Sequence, residues 1–372
     1  MTNVQPRRLP RRDFLLLPLI VVGTFAFLMV CGEFSARLLW PERTDVSCAV
    51  HDAATGERFQ PNCVATTKAA EGPWVENRFN DCGYRTAESC RLRGAEQLRA
   101  IVMGSSISRG ALVPYTDTFA ARASATLSRL CTRLVDFQNL GTDWGDLATL
   151  DHRIPEALAL DPKAIIIAVG AFDLIHMSEA VEPVKHTQQL TLHDVVALLK
   201  QNTRIFIVAQ HYLYRDVSAQ ISAFLRNGSD SSSYVDAPLP PIWHQRIDFL
   251  GGVLARITAQ TRAAGVPVVL LYVPDRAQAA LEIPRFAHPG LNPLGLGEAL
   301  RQVALAQGAE FADLTPDFAA AQDFASLYYQ ADGHPSAGGH RIIGRRVVNI
   351  LLQDPAFAEC RANAQMAGRR EP

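Results

Sequence analysis

Two stretches of the sequence bring together groups that could move an acyl group. In "IVMGSSISRG" (residues 101–110) an apolar run stops at Gly104 and gives way to Ser105 and Ser106. In "YYQADGHPSAGGHRIIG" (residues 328–344) Asp332 and His334 precede a helical pattern. Acyl transfer needs a hydroxyl, a base to take its proton, a carboxylate to orient the base, and N–H donors for the oxyanion. Both stretches, with the glycines of "NLGTDWGD" (residues 139–146) and the "VGAFD" run (residues 169–173), hold the residue types for those parts. A plainer reading stands beside this one: Gly104 permits a tight turn and one of the two serines caps the next helix.

These residues can act together only if the fold gathers them. Apolar runs at residues 98–104, 133–141, 164–170, 266–273 and 309–314 read as strands, with helical patterns at residues 119–131 and 146–158 between them. Long apolar strands separated by helices imply a parallel sheet covered on both faces. The expected class is α/β, a flavodoxin-like three-layer α/β/α sandwich of about five parallel strands. Ligands in such sheets sit at the carboxyl ends of the strands. Ser106, Gly141 and Gly145, Asp173, and the Asp332–His334 pair all fall at that edge.

The expected organisation is a short N-terminus (residues 1–13), an apolar span (14–31), a cysteine-containing lead-in (32–96), the main domain (97–352) and a tail (353–372). "GEFSARLLWPERTD", after the span, reads as a short interfacial helix stopped by Pro41. A helical insertion is expected over residues 175–264, with a polar tip at 226–241 that reads as a mobile loop, and an irregular stretch at 275–295.

A formal net charge of -1 and 20% charged residues give no basic face for nucleic acid. Residues 14–31 carry no formal charge and are long enough to span a bilayer, whereas a signal-peptide core is only ~7–15 residues long. Arg7, Arg8, Arg11 and Arg12 precede the span and set the N-terminus inside. The expectation is a single-pass anchor in the inner (cytoplasmic) membrane, with the main domain in the periplasm or outside. "RRDFL" also resembles a twin-arginine export signal, and "LMVC" weakly resembles a lipoprotein cleavage site. Beyond Cys31, the residues Cys48, Cys63, Cys82, Cys90, Cys131 and Cys360 suit an oxidising compartment. Proximity pairs Cys48 with Cys63, Cys82 with Cys90, and Cys131 with Cys360, although sequence does not choose among the connectivities. No C-x-x-C spacing or histidine cluster favours zinc, and no metal site is expected.

The order and spacing of these blocks over residues 97–352 resemble the SGNH/GDSL hydrolase superfamily. Its first block is Gly-Asp-Ser-x-Ser; here it reads Gly104-Ser105-Ser106-Ile107-Ser108, so the resemblance gives Ser106 the nucleophile's place. It assigns His334 as base and Asp332 as its orienting carboxylate, in the shorter Asp-x-His form of the acetyltransferase-like branch. The oxyanion hole would comprise the N–H groups of Ser106 and Gly145, with Gly141 the second choice.

Two departures stand out. Ser105 replaces the family's Asp, as in the membrane-anchored teichoic-acid D-alanylation proteins. Phe172 replaces the Asn of the Gly-x-Asn-Asp block and cannot donate to an oxyanion, which costs about 10²–10³ in rate. Asn139 and Gln138 are candidate replacement donors. Arg109, Trp144 and Asn139 are candidate substrate contacts, with packing as the alternative for Trp144 and an exposed helix start for Arg109. Asp173 reads as a loop cap or pair and His340 as structural, while His211, Tyr212 and Tyr214 have no evident partner.

The resemblance implies a serine esterase or O-acyltransferase that acts without metal or organic cofactor. A cell-envelope glycan or small acyl ester is its expected substrate, and a membrane O-acyltransferase a possible protein partner. A catalytically impaired scaffold is the alternative, motivated by Phe172.

Overall fold

The computed structural model describes residues 12–91, 94, 97–143, 147–181, 203–226 and 232–368. One helix runs unbroken over Asp13–Leu39, and its Phe14–Leu39 portion is long and apolar enough to cross a membrane. The separate interfacial helix expected after residue 31 does not form, because Gly32 and Glu33 lie inside this helix. It ends at Trp40, whose successor Pro41 disfavours helical backbone at the residue before it.

The lead-in is built of short strands. β1 (Arg43–Thr44), β4 (Val64–Lys68) and β5 (Trp74–Arg78) form an antiparallel sheet, and β2 (Ala49–Asp52) pairs with β3 (Gly56–Phe59) as a hairpin. Cys48, Phe59, Ala65 and Phe79 make its own small core. A core of that size needs covalent help, and the Cys48–Cys63 and Cys82–Cys90 disulfides supply it.

β6 (Leu98–Gly104), β7 (Val135–Asn139), β8 (Ala164–Val169), β9 (Val268–Tyr272) and β10 (Glu310–Asp313) form the main sheet. All pairings are parallel, in the order β10-β9-β8-β6-β7. Every residue of β6 to β9 is buried, so both faces are covered; β8 and β9 read as continuous apolar runs, whereas β7 buries Asp136, Gln138 and Asn139. Helices Phe119–Cys131 and Ala337–Leu351 pack together in one layer, and Pro241–Ala263 with Gly295–Ala306 in the other. The chain leaves β6 for β7 on one side and returns to β8 on the other. The order therefore reverses between β6 and β8, and a crevice opens at their carboxyl ends.

Several expected elements differ in detail. Pro241–Ala263 is no appendage but the crossover helix to β9, burying Trp243, Leu250, Leu254 and Ile257. Part of the polar tip packs inward, with Tyr234 and Val235 buried in a short 3-10 turn. The stretch at 275–295 opens with helix Arg276–Leu281, capped by Asp275 accepting from the Gln278 N–H at 2.8 Å. Pro155 divides the helix expected at 146–158 into a 3-10 segment, Leu147–Arg153, and a short α-helix, Ile154–Leu158. Beyond residue 352, helix Ala358–Gly368 folds back and is tied to helix Phe119–Cys131 by the Cys131–Cys360 disulfide.

Candidate active site

Gly104 ends β6 with φ +128°, and a Cβ there would lie 2.5 Å from the Ala168 carbonyl oxygen. Only glycine fits such a corner. It lets the chain leave the sheet sharply into Ser105, which is extended, and then into the one-turn helix Ser106–Arg109. Ser106 is the first residue of that turn, so its N–H has no intrahelical acceptor. Ser108 fastens the corner from behind, donating from Oγ to the Met103 carbonyl at 2.7 Å.

His334 reaches the same point from the loop before the last helix. Its Nε2 lies 2.7 Å from Ser106 Oγ, and its Nδ1 lies 2.7 Å from Asp332 Oδ1. The loop is held by its own backbone: Gly333 N–H donates to the Tyr329 carbonyl at 2.9 Å, and Tyr329 N–H to the His334 carbonyl at 3.0 Å. Burial pushes the Asp332 carboxyl upward, but its hydrogen bond with His334 and the charge there outweigh this and hold it below the usual range. Burial likewise favours neutral His334; the hydrogen bond and charge of Asp332, with Asp173 and Asp143 behind, raise the imidazole above its ordinary value. A hydroxyl, a basic imidazole and an ionised carboxylate in line have the geometry for proton removal from Ser106.

Two clefts flank the pair. One of about 280 Å³ is walled by Ile107, Phe172, Ile175, Val273 and Pro274. The other, about 120 Å³, is lined by Thr67, Arg109, Asp143 and Leu112. Ser106 and His334 border both.

A model of the GDSL-like Lipase/Acylhydrolase family matches residues 102–342, from β6 to the last helix of the sheet domain. The chain belongs to this family. Among solved structures, an α/β hydrolase enzyme from the metagenome of Lake Arreo, Spain, is 16% identical with a TM-score of 0.38, over 71% of this chain and 95% of that one. The lipase/acylhydrolase from Enterococcus faecalis is 16% identical with a TM-score of 0.37, over 68% of this chain and 95% of its own. A mutant of an acetyl-xylooligosaccharide esterase from Geobacillus Stearmophilus is 15% identical with a TM-score of 0.38, over 68% of this chain and 93% of its own. No curated protein matches the sequence.

Against the pattern of the GDSL-like family, the remaining candidates divide. Gly141 is packed 2.6 Å from the Arg109 nitrogen as a Cβ would see it, so the close approach requires glycine. Its N–H, however, donates to Asn139 Oδ1 at 3.0 Å and is not turned to the cleft. Asn139 is spent the same way, its Nδ2 donating to the Ser108 carbonyl at 2.8 Å, and Gln138 donates to Asp136 at 2.7 Å. Neither replaces the missing donor, because each satisfies buried polar groups behind the site. Gly145 and Trp144 lie outside the described residues.

Arg109 is buried, paired with Asp143 and stacked 5.0 Å above the Phe59 ring, which neutralises it as a free anion receptor. Phe172 is 63% exposed, with its ring edge on His176 at 4.1 Å. Asp173 accepts the Gly170 N–H at 2.7 Å and fixes the loop after β8; burial raises its pKa. His340 is buried, accepts the Phe119 N–H at 3.3 Å, and is pushed down to about 3 by burial, so it stays neutral.

The lead-in contributes residues that sequence reasoning missed. Arg85, fully buried, donates to the carbonyls of Arg109 at 2.8 Å, Gly110 at 2.5 Å and Val113 at 2.8 Å, clamping the chain after Ser106. Glu57, on the β2–β3 hairpin, accepts the Asp143 N–H at 2.7 Å. Glu71 accepts N–H groups of the loop that carries Asp332. No spacing marks these residues; the faint signal was charge among Cys, Gly and Asn in a segment too short of apolar residues to fold by itself.

Proposed function

We propose that this chain is a membrane-anchored serine esterase or O-acyltransferase that acts outside the cytoplasm. The reading rests on one observation: His334 sits between Ser106 and Asp332 with a 2.7 Å contact to each, at the point where the sheet order reverses. Membership of the GDSL-like family supports ester-bond hydrolysis.

In this reading Ser106 Oγ attacks the ester carbonyl while its proton passes to His334 Nε2. The carbonyl oxygen becomes an oxyanion that the N–H of Ser106 receives, with a second donor that the family resemblance assigns to Gly145. His334 then protonates the leaving alcohol. Water, or a sugar hydroxyl for transfer, takes the acyl group with His334 again as base, and Ser106 is regenerated. The acyl chain occupies the apolar cleft beside Phe172, and the alcohol side occupies the cleft beside Arg109 and Asp143.

An apolar N-terminal helix preceded by arginines and three disulfides favour a domain held at the outer face of a cytoplasmic membrane. That location suits an O-acylated, chiefly O-acetylated, cell-envelope glycan or a lipid-linked substrate, and a membrane O-acyltransferase as donor or partner. A second reading, a scaffold with weakened chemistry, is favoured by Phe172 alone, which supplies no donor.

Incubation with a fluorophosphonate and mapping of the labelled peptide tests the reading. Label on Ser106 supports the enzyme. An unlabelled protein without turnover of short acyl esters leaves the scaffold.

A further inference from the structure

The loop bearing Asp332 and His334 rests on a single carboxylate from the lead-in. Glu71 is 4% exposed, and its Oε2 accepts the N–H of Ala331 at 2.8 Å and of Asp332 at 2.7 Å. Its other oxygen pairs with Nδ1 of His211. Arg215 donates to Nε2 of the same imidazole at 3.3 Å, so that nitrogen is an acceptor and the His211 proton belongs on Nδ1, toward Glu71. No Arg or Lys pairs directly with Glu71 among the described residues. Its oxygens are satisfied by two backbone amides and one imidazole.

The neighbouring turn docks as closely. Gly72 has φ +86°, and a Cβ there would lie 2.9 Å from the Tyr329 ring, so the 71–72 turn lies flat against the loop that ends at His334. His211 in turn belongs to the membrane-side part of the molecule. Trp40, at the end of the apolar helix, meets its ring edge-on at 4.7 Å. Helix Arg204–Leu213, which carries His211, starts on that same apolar helix, where Glu33 accepts the N–H of Arg204 and of Ile205, each at 2.9 Å.

We propose that Glu71 is a positioning residue of the catalytic loop, fixing the backbone from which Asp332 orients His334, and that His211 holds Glu71 in place from the membrane side. The proposal rests on the serine-hydrolase reading above. Removing the acceptor frees two amides and lets Asp332 shift against His334; a misplacement of about 1 Å is enough to cost around 10²-fold in rate. The carboxylate comes from outside the sheet domain, so the dependence ties the catalytic loop to the lead-in.

The test uses the full-length protein in detergent, with p-nitrophenyl acetate as substrate and end-point fluorophosphonate labelling to count competent sites. Glu71→Ala is expected to lower kcat per labelled site by about 10- to 100-fold with KM little changed. Its acid limb in kcat/KM should move to lower pH, because the loosened Asp332 no longer raises His334 as far. Glu71→Gln keeps an amide oxygen for the two N–H groups. Its NH2 finds an acceptor in His211 Nδ1 once the imidazole carries its proton on Nε2 and gives up the exposed Arg215 contact. This variant should therefore recover most of kcat, while His211→Ala should fall between.

A kcat for Glu71→Ala within twofold of wild type, or a Glu71→Gln variant as impaired as Glu71→Ala, overturns the proposal. Should Glu71→Ala fail to fold, the His211→Ala and Glu71→Gln pair carries the test: wild-type kcat and pH limb in His211→Ala overturn the role given to His211, and loss of rate in Glu71→Gln overturns the acceptor role. A wild type that neither labels nor turns over refutes the hydrolase reading instead. The low-field proton NMR signal of His334 Nδ1–H then still reads the loop, and an unchanged signal in Glu71→Ala overturns the positioning.

Discussion

Nε2 of His334 lies 2.7 Å from Oγ of Ser106, although 228 residues separate them in the chain. The contact joins the carboxyl end of β6 to the loop before the last helix. If these atoms act as one unit, Ser106→Ala and His334→Ala should each lower kcat on short acyl esters by at least about 10³-fold, and the double variant should lose little more. Ser105→Ala should keep most of the activity. Steady-state kinetics on the purified variants decides this, and additive losses would refute a shared unit.

The imidazole must be neutral to accept the Ser106 proton. His334 is held above the ordinary histidine value of about 6.5 by Asp332, so kcat/KM should fall with decreasing pH along a limb centred above that value. In Asp332→Asn the raising influence is gone. The limb should move to lower pH, while the plateau drops about 10²–10⁴-fold because the tautomer is no longer fixed. A pH–rate profile of both proteins checks the sign of the shift.

Phe172 borders the larger cleft where the family carries an Asn. Its ring is exposed, so Phe172→Asn should fold normally. If the absent donor limits the rate, kcat should rise, by up to about 10²-fold, with only a small change in KM. An unaltered kcat in an active enzyme would show that another group serves the oxyanion.

The cysteines give a prediction independent of catalysis. Without reduction, Cys48, Cys63, Cys82, Cys90, Cys131 and Cys360 should resist alkylation while Cys31 reacts once the protein is unfolded. Replacing both Cys131 and Cys360 by Ser should lower unfolding stability by about 2–5 kcal/mol, read from chemical denaturation. Free thiols at four or more of the six positions in the native protein would remove the oxidising compartment from the account.

Much of the site was legible because its signals are local. The run Leu98–Gly104 is apolar apart from Arg99, helix Phe119–Cys131 matches its pattern residue for residue, and Asp332 and His334 sit two residues apart. Asn139 misled because a polar residue at a strand end reads as a donor to the cleft, whereas here it knits together the backbone behind Ser106. Arg276–Leu281 was missed because six residues are too few to display a helical period. Glu71 and Arg85 were invisible for a different reason: each is a single charged residue whose partners, 260 and 24 residues away, exist only after folding.

The Cys131–Cys360 bond spans 229 residues and turns most of the sheet domain into a covalent ring. Asp332 and His334 lie inside that ring, whereas Ser106 hangs from it on the N-terminal arm. A single protease cut anywhere on the ring would therefore release nothing: the two pieces would migrate together until a reductant parted them. A chain nicked there would in this way still keep Ser106 and His334 on one molecule.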